Sequence, residues 1–301
     1  MPYDKTRGLV KKQRLTEAEL AEIKQLIDIC NSYEGLHMRI FWDMLQSRPG
    51  IEVNDFLYYE DGILAGYVFL DSWGMDQREM TGMVRPEYRR KGIFRTLFQA
   101  AREECASLGI GRLVLVCEQS SSSGRAFVDA VGAHHDFSEH EMVLGIFQER
   151  NVFDERLFFR RADSGDTDVL VSVQAGSFGD PEEDVRRTIA QLFQEPGCYI
   201  YLATFGEESV GCEEPVGMLR LHEMKESVGI YGFGVLPDYR GRGYGRQMLE
   251  EAIRIVQANS QKTIMLDVET DNLNAIGLYR SCGFEMKTTY DYFVVESRAR
   301  G

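Results

Sequence analysis

Two parts of the 301-residue chain can be laid on one another at a constant offset of 151 residues. Val84 then falls on Val235, Pro86 on Pro237, Tyr88 on Tyr239, Arg89 on Arg240, Gly92 on Gly243, Arg95 on Arg246 and Gly132 on Gly283. A register held across that distance implies duplication of a whole domain, since a chance motif would not persist beyond one loop. The repeat therefore predicts two domains, 1–150 and 151–301, with the boundary near 149–151. Each copy is long enough to bury a core of its own.

Local patterns fill in each copy. Thr16 followed by Glu19 fits a capping box, with Leu20, Ile23, Leu26 and Ile27 recurring at helical spacing behind it. A second helix is expected over 37–46. The run FLYYEDGILAGYVFL reads as a hairpin turning at Glu60, Asp61 and Gly62, where Asp-Gly tolerates positive φ. A strand over 79–84, an amphipathic helix over 94–108, a buried strand over 112–118 and a short helix over 125–131 follow. The second copy repeats the plan: strands at 156–162, 199–204, 216–221, 228–235, 263–269 and 290–295, with helices between. In it, Asp180 is the expected cap of a helix with Pro181 at its first position. Mixed strands alternating with helices give an α+β fold, one sheet per copy flanked by helices.

Composition excludes more than it assigns. A formal charge of −14 leaves no broad basic face to displace counterions from a nucleic-acid backbone. The six cysteines (Cys30, Cys105, Cys117, Cys198, Cys212 and Cys282) show no metal-ligand spacing. No apolar run is long enough to span a bilayer, and the first residues lack the apolar segment of a signal peptide. These features predict a cytoplasmic protein with reduced thiols, no metal, no membrane partner and no nucleic-acid partner.

Against that acidic background the run DYRGRGYGR (238–246) stands out, because it leads directly into an amphipathic helix. The start of a helix leaves backbone N–H groups without partners and carries partial positive charge. Glycines let that backbone approach a ligand closely. The combination suits a diphosphate, with Arg240, Arg242 or Arg246 assisting, although a glycine-rich turn with solvated arginines has the same composition. A dinucleotide fingerprint would need glycine at Arg246, and no Gly-Lys-Ser/Thr exists for a nucleotide P-loop.

VLPDYRGRGYGRQMLEEAI resembles the acyl-CoA-binding motif of the GNAT superfamily of N-acetyltransferases, with Arg240, Gly243 and Gly245 at its defining places. LDVETDNLNAIGLYRSCGFE is similar to that family's second signature through Asn272, Ala275, Leu278, Tyr279, Gly283 and Phe284. The resemblance covers most of 155–296 and, more faintly, 15–145. It implies two tandem domains, each a mixed, mostly antiparallel sheet, and direct transfer of an acetyl group from acetyl-CoA to an amine. The implied donor site comprises Phe233, Gly234 and Val235 along the pantetheine arm, and Arg240, Gly241, Arg242, Gly243, Tyr244, Gly245 and Arg246 around the diphosphate. Asn272 and Asn274 bind the donor or shape the turn before their helix.

Tyr279 occupies the place from which family members protonate the departing thiolate; a phenol that only fills core space is the alternative. The general base is open. Relatives use a glutamate on the strand before the loop, where this chain has Gly229, so Glu269, Asp267, Glu223 and Glu226 are candidates, with Glu269 the first. The first copy keeps Arg89 and Gly92 but has Phe94, Ser121 and Val128 where the second has Gly245, Asn272 and Tyr279. It is expected to be a degenerate copy, and the second the transferase.

Overall fold

The structure is a computed structural model that describes residues 7–72, 77–150, 153–206 and 214–296. Asn151, at the expected boundary, and Cys212 lie outside the described residues. In chain order the elements are β1 (Arg7–Lys12), α1 (Glu17–Glu34), α2 (Trp42–Ser47), β2 (Asp55–Glu60), β3 (Ile63–Ser72), β4 (Gln77–Val84), α3 (Ile93–Ser107), β5 (Arg112–Glu118), α4 (Ser122–Ala130) and β6 (His134–Leu144). The second half continues with β7 (Leu157–Arg161), α5 (Thr167–Phe178), α6 (Glu182–Leu192), β8 (Cys198–Phe205), β9 (Glu214–Glu223), β10 (Ser227–Val235), α7 (Tyr244–Asn259), β11 (Thr263–Glu269), α8 (Leu273–Ser281) and β12 (Phe284–Glu296).

The chain forms two compact units, 1–139 with 288–301, and 140–287. The repeat marks a boundary of sequence; compactness divides the chain differently, because residues 290–296 of β12 pair antiparallel with β5 and so join the first unit. Strand order is β1-β2-β3-β4-β5-β12 in the first unit and β6-β11-β10-β9-β8-β7 in the second. Parallel pairing joins β4 to β5 and β10 to β11; the neighbouring pairs β1–β2, β2–β3, β3–β4, β7–β8, β8–β9 and β9–β10 are antiparallel. This is the mixed, mostly antiparallel α+β architecture.

Each sheet is apolar on both faces. In the first unit α3 packs on Val68, Leu70, Met80 and Leu113 through Leu97 and Ala101, while α1 covers Leu57, Tyr67 and Phe69 through Ile23 and Leu26. In the second, Leu249 and Ile253 of α7 pack on Leu219, Leu221, Ile230 and Leu266, and α5 and α6 cover Ile200, Leu202 and Met218. Each fully buried aliphatic side chain of this kind contributes about 1.5–3 kcal/mol relative to exposure.

Local signals hold where they are local. Thr16 and Glu19 form the expected capping box of α1, and Asp61 and Gly62 take φ of 51° and 76° in the hairpin turn. The second helix is shorter than expected: it begins at Trp42, because the amides of His37 and Met38 donate instead to Glu118 and to the Asn31 side chain. The cap of α6 is Pro181, not Asp180, since the amides of Asp184 and Val185 both donate to the Pro181 carbonyl. The constant offset also breaks once. Glu79 faces Asp71 and Val114, whereas Gly229 faces His222 and Met265, so these two positions correspond at an offset of 150. The extra residue lies in a bulge of β10 between Tyr231 and Gly234, with Gly232 at φ 55°; β4 runs past β3 without one.

Candidate active site

In the second unit β10 and β11 pair only over 227–230 and 263–266, and then part. Beyond that point β10 stays bound to β9 as far as Val235, so the other edge of Phe233, Gly234 and Val235 has no strand partner among the described residues. An extended ligand has a ready backbone to pair with there. The bulge of β10, between Tyr231 and Gly234, lies just beyond the point where the strands separate.

A short turn at Pro237–Tyr239 leads from the strand to α7. Gly241 and Gly243 take φ of 75° and 89°, the left-handed region that favours glycine. Gly243 is the N-cap and offers no side chain, so the amides of Tyr244, Gly245 and Arg246 have no partner among the described residues, the first intrahelical bond here being from Gln247 to Gly243. A Cβ at Gly245 would come to 3.5 Å from Val235 Cγ2 and 3.7 Å from Leu278 Cδ2, so the helix start lies directly against the strand end and α8.

The arginines divide by what they already hold. Arg240 Nε donates to the Val235 carbonyl at 2.8 Å and Nη2 to the Ser177 carbonyl at 2.9 Å, clamping the loop to β10 and α5. Arg246 donates to Glu250 at 2.5 Å, to Ser281 Oγ at 2.6 Å and to the Gln148 carbonyl at 2.6 Å. Glu250 is 1% exposed, so this ion pair is part of the core joining α7 to α8. Arg242 is exposed, lies over the Tyr239 ring at 5.4 Å and makes no hydrogen bond among the described residues. Tyr244 buries its ring beside Phe205 and Tyr239 and presents only its amide. The cradle thus consists of backbone, with Arg242 the arginine whose charge remains available.

Tyr279 lies on α8, 7% exposed, with its ring centroid 6.2 Å from Phe233 and 6.1 Å from Phe284. Burial pushes its pKa up to about 12, and its hydroxyl takes no hydrogen bond among the described residues. Such a phenol keeps its proton at neutral pH. Outright transfer from such a phenol to a thiolate, whose reference pKa is about 8.5, would be uphill, whereas a hydrogen bond to developing negative charge would not.

The remaining candidates scatter. Glu269 ends β11, exposed, and its carbonyl accepts from the Asn272 amide; Asp267 is half-buried on the same strand. Asn272 caps α8 through the Ala275 amide at 3.1 Å, and Asn274, two residues on, is exposed. Glu223 is ion-paired with Lys262 at 2.7 Å, and Glu226 is exposed. At Gly229 the space of a side chain is taken: an added Cβ would lie 2.6 Å from Tyr231 Cζ and Oη. Sequence reasoning overlooked Tyr231 and its cross-strand neighbour Arg220, although the three glycines in SVGIYGFGV signalled an irregular strand.

The first unit has the corresponding cleft. β4 and β5 pair over 77–80 and 112–115 and then part, and a cavity of about 560 Å³ opens there, lined by Gly82, Met83, Phe94, Cys117, Phe127 and Val128 among others. Arg90 and Gly92 take φ of 64° and 84°, reproducing the loop of Gly241 and Gly243. Arg89 binds the Val84 carbonyl at 3.0 Å and Glu34 at 2.5 Å, and Ser121 and Ser123 donate to the other Glu34 oxygen. Phe94 turns its ring onto Phe127, 4.5 Å between centroids.

Two units of this architecture, each with strands that part beside a glycine-opened helix start, define a tandem acyltransferase fold. The sequence profile described as the acetyltransferase (GNAT) family matches residues 21–132 and 168–284, and the chain belongs to that family. It is similar to a mycothiol acetyltransferase of Actinosynnema mirum, 26% identical over 88% of this chain and 89% of the relative. A mycothiol acetyltransferase of Thermomonospora curvata is 25% identical over 92% of this chain and 94% of its own. Among solved structures, a GCN5-related N-acetyltransferase from Sphaerobacter thermophilus superposes with a TM-score of 0.78 at 20% identity, covering 98% of this chain and 96% of that one. A tandem GNAT protein from the clavulanic acid biosynthesis pathway gives 0.72 at 16% identity over 98% and 100%. The chain is therefore an N-acetyltransferase with an amine acceptor.

Proposed function

We propose that the second unit moves an acetyl group from acetyl-CoA directly to an amine. The observation that carries this reading is the conjunction of three features on one unit: the unpartnered edge at Phe233, Gly234 and Val235, the open amides of α7, and the Tyr279 phenol against Phe233. The diphosphate sits on the amides of Tyr244, Gly245 and Arg246 with Arg242 beside it. The pantetheine arm pairs along 233–235, and a backbone N–H near Val235 polarises the thioester carbonyl. The amine nitrogen attacks the carbonyl carbon, the C–S bond breaks, the nitrogen releases its proton to water or a carboxylate such as Glu269, and Tyr279 hydrogen-bonds the departing thiolate. The products are the N-acetylated amine and CoA. Reduced cysteines at 30, 105, 117, 198 and 282 suit a cytoplasmic setting.

A second reading, acyl-CoA binding without transfer, suits the first unit, where the cleft is open and Val128 stands in place of the phenol. Incubation with acetyl-CoA and a panel of amines, watching for free thiol, tests both. Acceptor-dependent thiol release supports the transferase, and binding without release supports a sensor.

A further inference from the structure

The face of β10 where the attacking amine would lose its proton carries a cation in place of a carboxylate. Arg220 pairs across the sheet with Tyr231 at the edge of the bulge, and Gly229 pairs with His222, so all four residues share one face, the one covered by α5 and α6. Tyr231 folds back over Gly229 and fills the volume a glutamate there would need. The Arg220 guanidinium stands over the Tyr231 ring at 5.3 Å, and its Nε is buried without a hydrogen-bond partner among the described residues. No carboxylate lies within ion-pair distance of Arg220 among the described residues. Glu195 lies 3.6 Å from His222 instead, and Cys198, opposite His222, is held as a neutral thiol by burial.

A half-buried guanidinium with donors unspent is poorly satisfied by a ring face alone, because the planar fork matches a carboxylate in two parallel hydrogen bonds. We infer that Arg220 is an acceptor-recognition residue and that the acceptor is an amine carrying a carboxylate, with Tyr231 setting the guanidinium in place. The inference rests on the reading of the second unit as the transferase. It also gives the replacement of a strand acid by Gly229 a physical sense: a glutamate at this position would pair with Arg220 and remove the anion site.

Dipeptides and their C-terminal amides form the test set, since their amines differ little in basicity. With acetyl-CoA and the full chain, kcat/KM for thiol release should favour the free carboxylate by about tenfold or more. Arg220→Gln should bring that ratio to about one, and Arg220→Lys should keep a preference of about threefold. A wild-type ratio near one, or a ratio untouched by Arg220→Gln, overturns the inference while leaving the transferase intact. A second measurement is independent of turnover: modification of Arg220 by phenylglyoxal in the presence of CoA, read by mass spectrometry. An N-acetyl dipeptide should protect Arg220 and its amide should not; equal protection, or none, overturns the anion site. Absence of thiol release with every amine contradicts the transferase reading instead, and the protection result then decides the anion site alone.

Discussion

The first unit has an open cleft with a carboxylate on its strand; the second has two rings in contact beside its parted strands, with a phenol on α8 and glycine at the strand position of that carboxylate. Glu79 stands in the first unit at the register position held by Gly229 in the second, half-buried between the same pair of neighbouring strands. Conversely, Phe233 and Tyr279, in ring contact in the second unit, correspond to Gly82 and Val128, both of which line the cavity of the first. Loop dihedrals are common to both. Both copies keep the backbone of the loop and helix start, while Glu79 stands only in the first and the Tyr279 phenol only in the second. A side chain can be lost by point substitution, but the loop is held by packing and by left-handed residues that tolerate few replacements.

The sharpest contrast lies in the arginines that end the two loops. Arg246→Ala strands the buried Glu250 and should cost about 3 kcal/mol of stability, part of the charge being met by Arg254 at 3.5 Å. Arg95→Ala, the same change at an exposed position of the first loop, should stay within about 0.5 kcal/mol. Chemical denaturation of both variants checks the pair, and equal losses would break the comparison. Next in size, Gly243→Val forces a branched residue into φ 89°, a strain of about 1–3 kcal/mol, so affinity for CoA measured by calorimetry should fall about tenfold to a hundredfold.

Tyr279→Phe keeps the ring contacts and removes only the proton donor. Turnover should drop by about tenfold to a hundredfold with CoA affinity within about twofold, and full activity would remove Tyr279 from the mechanism. Because the hydroxyl takes no hydrogen bond among the described residues, stability near neutral pH should change by less than about 0.5 kcal/mol. The smallest effect is in the pH dependence. The folded state raises the phenol from about 10 to about 12, so it holds this proton more tightly than the unfolded chain does. That contribution is complete below about pH 10 and is lost as pH rises through about 12. The Tm of the wild type should therefore fall relative to Tyr279→Phe only in this alkaline window.

Much of the fold was legible because its signals are local or repeated. The 151-residue offset gave two copies, Asp61 and Gly62 gave the hairpin, and Thr16 with Glu19 gave the first helix start. The glycines at 241 and 243 marked a helix entrance, and the structure shows the reason in their positive φ. What escaped depends on residues far apart in the chain. The exchange that gives residues 290–296 to β5, the closure of Arg246 on Glu250, Ser281 and Gln148, and the amides of His37 and Met38 that delay α2 all arise from tertiary partners. The one-residue bulge at Gly232 was hidden because the motif after it restores the offset, and with it went the correspondence of Glu79 with Gly229.

Whether the chemistry belongs to the second unit is decided by paired glycine substitutions in the full chain. Thiol release from acetyl-CoA with an accepted amine should be nearly abolished by Gly243→Val and retained by Gly92→Val, whose φ of 84° matches it in the first loop. Release lost with Gly92→Val and kept with Gly243→Val would place catalysis in the first unit and contradict the account.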